Sequence, residues 1–163
     1  MPDMLVRLYD PDPPPPAIPP GVVLRPAMAY ETSLVRDWIA EHFTLGWADE
    51  FFATTAALPA TNLLAVEDGQ ILGFACYDAT AKGFFGPTGV HPNHRGRGLG
   101  QALLLHTLHR MRHAGYAYAI IGGVGPADFY TRVANAVPIP GSTPGAYPPK
   151  LNPQPPADHP PLG

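Results

Sequence analysis

The chain has 163 residues, with 45% hydrophobic and 14% charged side chains, 23 prolines and one cysteine, which suffices for one packed domain and not for two of full size. No apolar run approaches the roughly 18 residues of a transmembrane helix, and MPDMLVRLYDPDPP lacks the basic start and apolar stretch of a secretory signal, so a membrane-free, cytoplasmic protein is expected. A net charge of −3 argues against a general nucleic-acid binder, and a lone Cys76 excludes an internal disulfide and a zinc site built mainly from thiolates.

Eight prolines fall in residues 1–20 and ten in 136–163, against five in the 115 residues between. Because proline fixes φ and removes a donor, both ends are expected to be extended chain. The division is a proline-rich arm over 1–20, a folded domain over 21–149 and a proline-rich tail over 150–163. The Pro13 to Pro16 run reads as a spacer in preference to a ligand for an aromatic groove.

In chain order, Val22 to Leu24 is a short β-prone run, and Glu31 to Phe43 carries Leu34, Val35, Trp38, Ile39 and His42 at helical spacing. Trp47 to Leu58 is a second helix, broken by Pro59. Asn62 to Glu67 and Gln70 to Tyr77 are strands joined by Asp68-Gly69, a pair that accepts the positive φ of a tight hairpin. Phe84 to Val90 is a further strand, bulged or at an edge because of Gly86 and Pro87. Arg97 to His113 is a long helix ended by Gly115, Tyr116 to Gly122 a buried strand, and Pro126 to Ala134 a short helix. This order predicts an α/β (α+β) fold, a mixed, mostly antiparallel sheet flanked by helices, with 136–149 undetermined.

The chemistry lies in Val90-His91-Pro92-Asn93-His94-Arg95-Gly96-Arg97-Gly98-Leu99-Gly100-Gln101, between a strand and the long helix. Glycines at alternate positions let backbone N–H groups approach an anion, and the positive pole of the helix favours a phosphate there. Arg95 and Arg97 add charge, and residues 79–127 hold five Lys or Arg and no acidic residue. A Walker loop needs Gly-Lys-Ser/Thr, and a dinucleotide loop needs G-x-G-x-x-G with a later acid; neither is present.

Arg95-x-x-Gly98-x-Gly100, preceded by Val90-x-Pro92, resembles the coenzyme A loop of the GNAT superfamily of N-acetyltransferases, and Gly125-Pro126-Ala127-Asp128-Phe129-Tyr130 resembles the start of that family's last helix. The resemblance covers roughly residues 22–134. It implies acetyl-CoA as co-substrate and no metal, with the pyrophosphate on Arg95, Gly96, Arg97, Gly98, Leu99 and Gly100. The pantetheine arm would run beside the strand ending at Val90, in a splay between that strand and Tyr116 to Gly122. It implies transfer of the acetyl group to a primary amine, on a small molecule or a peptide, with Tyr130 protonating the departing thiolate. The other class left open is a non-catalytic CoA-binding or protein-interaction module.

Relatives often carry a glutamate on the strand before the loop, and Gly83 to Val90 has none. Glu67, Asp68, Asp78 and His91 are the nearby alternatives, with a water chain preferred as the route for the amine proton. After Tyr130 the family's Tyr-x-x-x-Gly-Phe is replaced by Tyr130-Thr-Arg-Val-Ala134-Asn135, and its last two strands by AVPIPGSTPGAYPP. The end of the sheet is therefore open at this stage: truncated, completed in cis by the altered C-terminal end with Ala136 to Ile139 as the remaining edge, or completed by a second subunit, as in a homodimer. His106, His109 and His113 share a helix face read as solvated and Cys76 is read as core; Trp38, Trp47, Phe51 and Phe52 lie on the two helices that the resemblance puts beside the acceptor pocket, most of them expected as core and one or two as its lining. Thr44-Leu45-Gly46 is expected to be a mobile lip.

Overall fold

The structure is a computed structural model describing residues 1–10 and 17–153; the Pro13 to Pro16 run and the end of the proline-rich tail lie outside the described residues. Among the described residues seven strands are formed, β1 (Met4–Arg7), β2 (Val23–Arg25), β3 (Asn62–Glu67), β4 (Gln70–Tyr77), β5 (Phe84–Val90), β6 (Tyr118–Ile121) and β7 (Val137–Pro138). The helices are α1 (Thr32–His42), α2 (Leu45–Thr54), α3 (Leu99–His113) and α4 (Ala127–Ala134). The strands make one sheet in the order β2-β3-β4-β5-β6-β1-β7. Every neighbouring pair is antiparallel except β5 with β6. This is the mixed, mostly antiparallel sheet that the pattern predicts.

Helices cover both faces, which explains why the central strands are continuously apolar instead of alternating. Leu63, Ala65, Leu72 and Ala75 pack with Leu99, Leu103, Leu104 and Met111 of α3. Their neighbours Leu64, Phe74 and Cys76 face Val35, Ile39, Ala48 and Phe51 of α1 and α2. Phe51 and Phe74 are fully buried, each stabilising the fold by about 1.5–3 kcal/mol through area removed from water. The β3–β4 turn has positive φ at Asp68 and Gly69 (49° and 74°), the two-residue geometry that suits the strand twist. Buried Asn62 ties the sheet to its surroundings: its Oδ1 accepts from Ala27 N–H and its Nδ2 donates to Thr54 Oγ1, both at 2.9 Å.

The expectation that residues 1–20 form an arm outside the fold is corrected at its first residues. Met4 to Arg7 pair antiparallel with Ile121 to Tyr118, and Met4 and Leu5 pair on the other side with Pro138 and Val137. Met4, Val6 and Leu8 alternate into the core, so hydrophobic burial outweighs the proline-rich context that follows. The position beside β6 is thus filled by this same chain. The segment after α4 folds back onto β1: Ile139 N–H donates to the Asp3 carbonyl (2.8 Å), Asp3 N–H to Ser142 Oγ (2.9 Å) and Ala146 N–H to Asp3 Oδ2 (2.8 Å).

Boundaries shift modestly. The first strand read from sequence begins at Val23, the second helix ends at Thr54, and the strand read over 116–122 is 118–121. In Thr44-Leu45-Gly46, expected as a lip between the two helices, Thr44 Oγ1 accepts from Trp47 N–H (3.0 Å) as the N-cap of α2, and Leu45 and Gly46 are already helical. Among the described residues no helix is long and apolar enough to cross a membrane.

Candidate active site

The last rung of the β4–β5 ladder is His91 N–H donating to the Leu72 carbonyl at 2.8 Å. A single 3-10 turn, Pro92–His94, follows, with His91 Nδ1 accepting from Asn93 N–H. Arg95 Nε donates back to the Val90 carbonyl at 3.3 Å. The chain then turns through Gly96 and Gly98 at φ +81° and +80°, and a Cβ built at either would meet nothing within 4 Å. Only glycine holds this conformation without strain, and the space over the loop is open.

Gly98 is the N-cap of α3, and the first intrahelical bond runs from Ala102 N–H to the Gly98 carbonyl (3.0 Å). The N–H groups of Leu99, Gly100 and Gln101 therefore precede the ladder. No acidic residue stands in this turn, while Arg110, Arg112 and His113 sit at the other end of the helix. The positive pole of a 15-residue helix is left facing open space, as an anion site requires.

The two arginines divide. Arg97 Nη1 and Nη2 reach the Glu67 carboxylate at 3.1 and 2.8 Å, with His94 Nδ1 at 3.4 Å from the guanidinium. Its side chain is held by the end of β3, and each partner supports the charge of the other: Glu67 is shifted below the usual carboxylate range and Arg97 above the usual guanidinium value, chiefly by their hydrogen bonds. Among the described residues Arg95 is held through Nε by a carbonyl.

β5 and β6 touch only at one end, where Phe84 and Phe85 pair with Ile120 and Ile121. Beyond Phe85, β5 continues along β4 to Val90 and its other side leaves β6. Since His91 bonds toward β4, alternation directs the main-chain groups of Thr88 and Val90 away from β4, into the splay. Among the described residues no strand pairs with this edge of β5 from its apex at Phe85 to the glycine loop, about 16 Å for five residues, and at its end the Val90 carbonyl accepts from Arg95.

Tyr130 stands at that apex. Its ring lies edge-on to Phe85 (centroids 6.3 Å) and to Phe129 (5.2 Å). It is 7% exposed, and burial raises its phenol above the ordinary value, so it keeps its proton at neutral pH. Among the described residues its hydroxyl has no hydrogen-bond partner. On the opposite face of the sheet Tyr147 lies against Phe84 (5.1 Å) and over Gly122, whose absent Cβ would stand 2.8 Å from the Tyr147 ring. Nothing in the sequence marks Tyr147; it reaches this place because Asp3 anchors the segment before it.

The candidate carboxylates are all engaged elsewhere. Glu67 holds Arg97, Asp68 forms the hairpin turn, and Asp78 accepts from Gly83 N–H (2.8 Å) and Tyr116 hydroxyl (2.7 Å). His91 lies past the far end of β5, about 20 Å along the strand from Phe85, in a cleft of about 360 Å³ that it lines with Trp38, His42 and His94. Partial burial first, then His42, His94 and Arg95, shift its pKa down. Cys76 is fully buried, its thiol pushed up by desolvation, and acts as core. Phe51 is core, Trp38 and Trp47 pack against it, and Phe52 is half exposed under Arg36. Among the described residues no group of three or more potential ligands could hold a metal.

The model of the acetyltransferase (GNAT) family matches residues 30–132. A GCN5-related N-acetyltransferase from Sphaerobacter thermophilus superimposes with a TM-score of 0.67 at 25% identity, over 85% of this chain and 48% of that one. A GNAT family acetyltransferase from Brucella melitensis, solved in complex with acetyl-CoA, gives 0.54 at 25% identity, over 68% and 80%. The protein YhbS from Escherichia coli, solved with CoA, gives 0.55 at 19% identity, over 72% and 69%, a likeness of fold. The chain spans about half the length of the Sphaerobacter protein, and no curated protein matches it. A glycine loop on a helix pole, a strand pair that parts beyond Phe85 and a family model covering more than half the residues agree: the chain belongs to the GNAT family of acetyltransferases.

Proposed function

We propose that this chain binds acetyl-CoA and transfers its acetyl group to a primary amine, on a small molecule or a peptide, by direct attack. The observation that carries the reading is the continuous path from the open N-terminus of α3 along the edge of β5 that faces the splay to Tyr130. The Brucella relative, bound to acetyl-CoA, supports the same donor here.

In this reading the N–H groups of Gly98, Leu99 and Gly100 hold the pyrophosphate in the open space above Gly96, with Arg95 beside them and Arg97 contributing its backbone while Glu67 holds its side chain. Thr88 and Val90 bind the amide arm as a neighbouring strand would. The thioester, which supplies an activated acetyl group, then lies by Phe85 and Tyr130. The amine nitrogen bonds to the acetyl carbon, the carbon–sulfur bond breaks, and the Tyr130 hydroxyl gives its proton to the sulfur. The proton lost by the amine leaves through water, because Glu67, Asp68 and Asp78 are committed to structure, and water returns a proton to Tyr130. That commitment is also what favours the second reading, a module that binds CoA without turnover.

The test pairs binding with chemistry. CoA and acetyl-CoA are expected to raise the melting temperature, a ligand at a hundred times its dissociation constant adding about 2.7 kcal/mol. Gly98→Val, strained at φ +80°, should abolish the shift while the circular dichroism spectrum persists. Release of free thiol from acetyl-CoA with any of a panel of amines, amino acids, aminosugars, polyamines or peptides establishes an enzyme. A melting temperature unmoved by millimolar CoA overturns the assignment of the donor, and binding without thiol release across the panel favours the module.

A further inference from the structure

The histidines on α3 contain a pair whose geometry goes beyond a solvated face. His109 and His113 lie one turn apart, with Nε2 atoms 3.0 Å from each other, ring centroids 4.5 Å apart and ring planes at 63°. A straight N–H···N bond would line up the two ring axes and put the centroids about 5.3 Å apart at this nitrogen separation. The shorter value means that the two ring axes are not collinear, as in an edge-on pair with a bent bond or in a pair whose nitrogens converge on one point. With metal–nitrogen bonds of about 2.0–2.1 Å, two nitrogens this close subtend about 95° at a shared ion and put the centroids about 4.7 Å apart. The pair stands near the second arrangement.

We propose that His109 and His113 form a two-nitrogen chelate for a divalent first-row transition-metal ion, copper, nickel or zinc, with water filling the remaining positions. Imidazole suits these ions, whereas magnesium and calcium need oxygen ligands, and residues 79–127 supply no carboxylate. In the metal-free pair one ring donates its Nε2 proton to the other; on binding, that ring carries its proton on Nδ1 and both Nε2 lone pairs meet the ion. Arg110 and Arg112 share the turn, and Arg112 Nη1 reaches the Asp10 carbonyl at 3.5 Å. These charges and the absence of a third ligand among the described residues set the affinity below that of a structural zinc site. The ion would clamp the last turn of α3.

The experiment uses the full chain without an affinity tag. Calorimetric titration with NiCl2, ZnCl2 and MgCl2 should show one nickel or zinc ion per chain and no magnesium. Nickel should raise the melting temperature by a few degrees. His109→Ala and His113→Ala should each weaken binding roughly tenfold or more, whereas His42→Ala on α1 should leave it unchanged. Copper electron paramagnetic resonance reads the ligands directly: two nitrogen couplings in the wild type and one in each variant. His113→Gln repeats the loss if alanine perturbs the helix end. Absence of nickel binding by the wild type, binding retained by both His113 variants, or a one-nitrogen copper spectrum in the wild type overturns the proposal.

Discussion

Arg97 and Glu67 form a two-point ion pair, 2.8 and 3.1 Å, that ties the glycine loop to the end of β3. The bond withdraws one of the two cationic side chains next to the helix pole. Replacing the acid by Glu67→Gln should free Arg97 for the ligand and lower the Kd for CoA at least twofold at low salt, with the gain shrinking as ionic strength rises. Titration calorimetry at two salt concentrations measures this; an unchanged Kd in both would show that Arg97 never approaches the phosphates. The pair has a defined acid limit. Because the folded-state pKa of Glu67 is depressed, the stabilisation is present above the ordinary carboxylate range and is lost only as pH falls through the lowered value.

Removal of residues 1–8 should unfold the protein or leave it aggregated. The deletion takes Met4, Val6 and Leu8 out of the core and uncovers β6 along its edge. Truncation at residue 153 removes none of the described strands or helices and should preserve the circular dichroism spectrum. A folded, CoA-responsive chain starting at residue 9 would show that β1 is dispensable.

Tyr130→Phe retains the ring against Phe85 and Phe129 and deletes only the proton. In the proposed reaction kcat should fall at least tenfold, within the roughly 10²- to 10⁴-fold range of a positioned acid, while acetyl-CoA binding changes little. Equal kcat with chemistry rate-limiting would assign protonation to water. Weaker acetyl-CoA binding at constant kcat would make the hydroxyl a binding group.

Asn62→Ala leaves Ala27 N–H buried without its acceptor and Thr54 without its donor. The cost is about 1–3 kcal/mol for the orphaned group, or a drop in Tm of roughly 2–12 °C. Denaturant unfolding checks the free energy, and a variant within experimental error of wild type would mean that water replaces the amide.

Most of the fold was legible because its signals are local. Asp68-Gly69 demands a hairpin whatever surrounds it, and the apolar face of α3 is periodic. β1 was not legible: Met4, Val6 and Leu8 alternate as a strand should, but the proline count of the following residues outweighed three side chains. At the site, the glycine loop and the Phe129-Tyr130 pair could be placed by pattern alone. The Glu67–Arg97 bond and Tyr147 over Gly122 could not, since each joins segments 25 or more residues apart through packing that no short pattern encodes.

The pairing of Leu5 with Val137 has a consequence for how the chain acquires its structure. Strand β1 has no partner until β6 has been made, more than a hundred residues later, so at synthesis rates of about 5–20 residues per second it stays unpaired for roughly 5–20 s. During that interval an apolar ribbon with open hydrogen-bonding edges is exposed, and closing so distant a contact is intrinsically slow. Yield in cells should therefore depend on chaperone capacity and temperature more steeply than the finished sheet's stability suggests.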